Sequence, residues 1–185
     1  MKVFKTIAAL TIAASTAVCS IAPAAHARGY EVDIPHSHLI QAIKATGIQF
    51  RLNPASCDQD TSFGWYWAAK NELVVCQTLR NRGGNYGQET VWTNEDLDTL
   101  RHEAHHLVQD CMKGGYRDGL LGSVYVKPVR FGLDVLGQDF VQTIAKEYSE
   151  AGADKHAKVM EIEAFAVAYV NDPAEQVRDV YKFCS

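Results

Sequence analysis

Thr93-Asn94-Glu95-Asp96-Leu97-Asp98-Thr99-Leu100-Arg101-His102-Glu103-Ala104-His105-His106-Leu107-Val108-Gln109-Asp110-Cys111-Met112 is the stretch around which the chain is organised. Its first residues carry capping side chains and early carboxylates that suit the positive end of a helix dipole. Leu97, Leu100, Ala104, Leu107, Val108 and Cys111 then recur at helical spacing, and Gly114-Gly115 is a stop signal. An amphipathic helix over 94–112 is predicted. On it His102 and His106 differ by about 40°, so both imidazoles leave one face a turn apart and can bind one tetrahedral metal. Glu103 lies about 60° from His106, beside that face, where it reaches the metal's water rather than the metal. A zinc ion lowers the pKa of such a water to about 7, and a carboxylate so placed can take its proton. The competing reading is an exposed helix with a polar face, the pentapeptide arising by chance in a chain with seven histidines.

Working outward, residues 1–27 read as a secretory signal peptide: Lys2 and Lys5, an apolar run too short for a membrane span, and a small-x-small site at Ala25-His26-Ala27. Thr16-Ala17-Val18 before Cys19 lacks the residues of a lipobox, so lipidation is not expected. Residues 28–185 are expected to form a single domain with a real core. Loss of the two leader lysines takes the formal charge from −4 to about −6, which argues against a nucleic-acid or anionic-membrane partner. Cys57, Cys76, Cys111 and Cys184 remain, and an even number in an exported chain reads as two disulfides. Of the pairings open to them, Cys57–Cys76 with Cys111–Cys184 is favoured: the first two are near in order, and the second pair joins the helix to the C-terminus. That second bond would contribute roughly 2–4 kcal/mol. Free thiols are the alternative, and no Cys-x-x-Cys spacing suggests a cysteine zinc site.

Ser37–Lys44 is read as the start of a helix, with His36 and His38 solvated, and Asn53-Pro54 and Asp58-Gln59-Asp60 as loop. Residues 62–77 read as a β-hairpin: Phe63-Gly64-Trp65-Tyr66-Trp67, a turn at Lys70-Asn71, then Leu73-Val74-Val75-Cys76. Arg80 to Glu89, with Gly83-Gly84, reads as a mobile loop, not a phosphate loop. A short strand is expected over Ser123–Val129 in an otherwise irregular stretch to about 137. Helices follow over 139–148, 154–170 and 174–183.

A catalytic zinc usually has a third protein ligand. Leu107 to Met112 lacks the glycine and histidine of a metzincin extension, and His156, at a helix start between Lys155 and Lys158, is expected to be exposed. The better candidate lies in Glu161-Ile162-Glu163-Ala164-Phe165-Ala166. With the His-Glu-x-x-His helix upstream, this run resembles the gluzincin group of zinc metallopeptidases, in which a Glu on a downstream helix is the third ligand, often within Glu-x-Glu-Ala. Glu161 and Glu163 are about 200° apart, so only one can face the metal. The family pattern favours Glu161, with Ala164 three residues on. Burial favours Glu163, whose neighbours Val159, Met160, Ala166 and Val167 are apolar. Glu161 is taken as the ligand, with Glu163 the alternate. Phe165 stands where the family often has an Asp or Asn that orients a ligand histidine, so that role is unassigned.

The resemblance implies an α+β, zincin-like fold: a small β-hairpin or sheet packed on the active-site helix, then a helical C-terminal half. It implies a zinc endopeptidase acting on a peptide or protein, with zinc on His102, His106 and Glu161 and Glu103 as the base; the leader and the cysteines point to a secreted or periplasmic chain, and a monomer is expected. An edge strand before the active helix would hold the substrate by β-addition. Tyr116, Tyr125 and Tyr148 are candidates to stabilise the oxyanion, whereas His105 points about 100° from its neighbouring ligand. Two other readings stay open: a disulfide-stabilised binding protein on a catalytically inactive zincin-like fold, against which the intact Glu103 counts, and an exported protein with no metal. Removal of a pro-segment within 28–60 also stays open.

Overall fold

Asp33 starts the first helix, α1 (Ile34–Ala45), by accepting from the His36 N–H at 2.9 Å. This is a computed structural model that describes residues 31–59, 62–80, 86–114 and 121–184. The leader with Cys19, the Gly83-Gly84 pair and Tyr116 lie outside those residues. His36 is buried rather than solvated, because its ring folds back onto the Asp33 carboxylate at 2.7 Å. Strand β1 (Gln49–Leu52) follows; it was not foreseen from its sequence, being four residues long and half-buried on one face only. The hairpin is as expected: β2 (Gly64–Trp67) and β3 (Glu72–Val75) are antiparallel, turning at Asn71 in the left-handed region (φ 56°). β1 pairs parallel with β3, giving the order β1-β3-β2 and leaving β2 at an edge.

The long helix α2 (Asn94–Met112) matches the predicted span, and Thr93 and Asp96 close a capping box at its start. It touches α1, β2 and β3, and also two later helices, α5 (Lys155–Val170) and α6 (Pro173–Phe183). Leu39, Ile43, Tyr66, Leu73, Trp92, Leu100, Ala104, Leu107 and Val180 fill the core between them. Both disulfides have the favoured pairing, Cys57–Cys76 and Cys111–Cys184.

Ser123–Val129 is not a strand. Val124 to Lys127 bend, and α3 (Pro128–Leu136) starts at Pro128, where a proline's missing N–H costs nothing. The N–H groups of Val124 and Tyr125 point at the Glu163 carboxylate instead of at a strand partner. Helix α4 (Gln138–Glu150) completes the set of six α-helices among the described residues. α3 crosses α5 closely at Gly132, where a Cβ would stand 2.3 Å from the Ile162 side chain. The fold is thus α+β and mostly helical. No helix among the described residues is long and apolar enough to cross a membrane.

Candidate metal centre

Every residue of α2 from His102 to Asp110 is buried. That removes the reading of an exposed polar face. Six of those nine side chains are polar, and burying a polar group without a partner costs several kcal/mol at worst, so each must be matched. Asp110 takes the Tyr66 hydroxyl at 2.7 Å. His105 turns away from its neighbours and meets Glu163 on α5 at 2.9 Å, with 1% and 0% of the two side chains exposed. Glu103 accepts from the backbone N–H of Tyr66 on the edge strand. Gly64 lets that strand come so near: a Cβ there would be 3.4 Å from the Glu103 side chain and 2.6 Å from that of Thr99.

His102, His106 and Glu161 remain, and they face one another. The two Nε2 atoms are 3.0 Å apart, and Glu161 Oε2 lies 3.2 Å from His102 Nε2 and 3.4 Å from His106 Nε2. Ligands about 2.0–2.1 Å from a tetrahedral ion are separated by about 3.3–3.4 Å, so this triangle has close to the size of one face of a zinc tetrahedron. Two nitrogens and a carboxylate oxygen also suit zinc chemically. These three residues form a group that could hold a metal ion. The alternate, Glu163, is on the far side of α5 and is not in it.

Burial works against a charge on His106, but Glu161, Glu103 and the hydrogen bonds to Glu161 and Gln109 outweigh it and lift its pKa to about 9 in the metal-free chain. Burial likewise opposes ionising Glu161, and the two imidazoles overcome it, holding that carboxyl far below its ordinary range. Glu103 moves the other way. Burial raises its proton affinity against the pull of His102 and His106. A carboxylate beside the triangle, not in it, and readier than usual to take a proton is the arrangement a general base needs.

Of the side chains considered for the oxyanion, Tyr148 on α4 is the one at the centre: its buried hydroxyl hydrogen-bonds Glu161, and burial with that carboxylate raises its pKa well above the ordinary value. Tyr125 stacks on Phe131, with ring centroids 4.0 Å apart. His156 is exposed and binds the Leu121 carbonyl. Phe165 packs edge-on against the His102 ring at 4.4 Å, and His102 Nδ1 has no hydrogen-bond partner among the described residues. Sequence reasoning missed Gln109, which sits 2.8 Å from His106 Nδ1; its place three residues after His106 on the same helix was the available signal. No protein-family model, curated protein or solved structure matches the chain.

Proposed function

We propose that this chain is an exported, zinc-dependent peptidase on a zincin-like fold, with His102, His106 and Glu161 as ligands and Glu103 as general base. The observation that carries the proposal is the triangle of three ligand atoms with the Glu103 carboxylate beside it, outside the triangle. Zinc held there would supply Lewis acidity toward a carbonyl oxygen and a water of pKa about 7. Glu103 takes a proton from the attacking water as its oxygen bonds to the peptide carbonyl carbon. It then passes that proton to the departing nitrogen as the C–N bond breaks, so it ends the cycle ionised. In this reading the Tyr148 hydroxyl turns from Glu161 to donate to the carbonyl oxygen as charge grows on it.

Peptides are the favoured substrate because β2 is an edge strand beside Glu103. Backbone groups alternate in direction along a strand, and the Phe63 carbonyl and the Tyr66 N–H point to opposite sides. The Gly64 backbone groups and the Tyr66 carbonyl are then the ones left to face the edge, where an extended peptide can add, the Tyr66 N–H being taken by Glu103. The two disulfides support an oxidising destination, secreted or periplasmic.

The test is zinc content and peptide-library cleavage by the oxidised chain beside Glu103→Gln and His106→Ala. One zinc in the wild type and in Glu103→Gln, little in His106→Ala, and cleavage by the wild type alone is the expected result. A folded wild type that takes up no zinc refutes the proposal. Zinc without cleavage in the wild type favours a binding protein on the same site.

A further inference from the structure

Gln109 is fully buried and makes three hydrogen bonds from one amide. Its Nε2 donates to the Met160 carbonyl at 3.1 Å and to Glu163 Oε1 at 3.1 Å, and its Oε1 stands 2.8 Å from His106 Nδ1. The partners fix which end of the amide is which. A backbone carbonyl can only accept. Glu163 Oε1 also accepts at this point, since it receives the Val124 N–H at 3.0 Å. The NH2 end must therefore face α5, because a flipped amide would set its oxygen against two acceptors at a fully buried position. The oxygen then faces His106 and can only accept, so His106 carries a proton on Nδ1. In the neutral ring that leaves the Nε2 lone pair aimed at His102 and Glu161.

We infer that Gln109 is the positioning residue of the metal centre: anchored by Glu163 and the Met160 carbonyl, it holds His106 in the tautomer and ring orientation that metal binding requires. This rests on the zinc reading above and fills the role that Phe165 leaves vacant. Met160, Glu161 and Glu163 lie within one turn of α5, so the same turn that offers the third ligand also sets the second histidine. The two histidines are then unequal. His106 is oriented through hydrogen bonds, whereas His102 is held by the Phe165 ring.

The experiment is zinc affinity, by competition with a chromophoric chelator, for the wild type, Gln109→Met, Gln109→Glu and Gln176→Met, each with its melting temperature. Gln109→Met keeps the length and removes the acceptor; a loss of about 10–100-fold is expected. Gln109→Glu, sharing one proton with Glu163, still donates to it and still accepts from His106, so it retains wild-type affinity even where its melting temperature falls. Gln176→Met removes another buried glutamine that hydrogen-bonds the same helix, through the Arg101 carbonyl at 2.8 Å, and leaves affinity unchanged. Long-range proton–nitrogen NMR of the zinc-loaded wild type should find a proton on His106 Nδ1 and the metal on Nε2. Tight binding by Gln109→Met, an equal loss in Gln176→Met, or zinc on His106 Nδ1 overturns the inference alone. A wild type that binds no zinc overturns the zinc reading with it.

Discussion

Glu161 and Glu163 stand two residues apart on α5, and the structure gives them opposite consequences on removal. Glu163→Ala would leave the His105 ring, the Gln109 amide and the Val124 N–H facing a buried hole. Each unpaired donor costs about 1–3 kcal/mol, and breaking a buried charged pair costs about 3–5. Water entering the hole offsets part of this, so about 4 kcal/mol is the expected loss, or a melting temperature lower by roughly 8–16 °C at this chain length. Glu161→Ala removes a half-buried carboxylate whose neighbours can adjust: His106 sheds its proton instead of staying charged and unpaired, at a cost of about 1–2 kcal/mol at pH 8. On the proposed zinc reading, its effect falls on the metal. Zinc at 1,000 times its dissociation constant adds about 4 kcal/mol to the wild type, and Glu161→Ala loses that shift almost entirely. Differential scanning calorimetry of both variants, with and without zinc at pH 8, reads both effects. If Glu161→Ala keeps the zinc shift while Glu163→Ala loses it at unchanged metal-free stability, the two glutamates have been assigned the wrong way round.

In the metal-free chain the His106 pKa, raised from 6.5 to about 9, stabilises the fold below pH 6.5 by about 3 kcal/mol, and this is lost as pH rises through 9. Thermal melts from pH 6 to 9.5 should show that decline in the wild type and not in His106→Gln; parallel curves would contradict it. Gly64→Ala would bring a Cβ to 2.6 Å from the Thr99 side chain and 2.6 Å from the Val74 carbonyl, so β2 must withdraw from α2. A loss of about 1–3 kcal/mol is expected, with the Tyr66 N–H drawn off Glu103; an unchanged melting temperature would show that the strand has room.

What the sequence made legible is what local geometry decides. The ends of α2 follow from a cap and a glycine stop, and the shared face of His102 and His106 follows from the helical repeat alone. The pairing of Cys111 with Cys184 was favoured for tying that helix to the chain's end, which is what it does. What stayed illegible depends on partners far along the chain. β1 is a strand because β3, the second strand of the hairpin that follows it, lies parallel beside it. Ser123–Val129 has the β-branched residues of a strand, but its N–H groups meet a carboxylate about forty positions away.

The choice between the two glutamates shows where the line falls. Apolar neighbours at helical spacing marked Glu163 as the deeper one, and it is, at 0% exposure. That depth does not by itself make a ligand, because periodicity reports depth and not what waits at that depth. Groups from α2 and from the 123–125 bend already meet both Glu163 oxygens. Glu161 is shallower and meets chiefly the two imidazoles and the Tyr148 hydroxyl. A metal needs a carboxylate that is held but not saturated, and by that criterion the less buried glutamate is the better ligand.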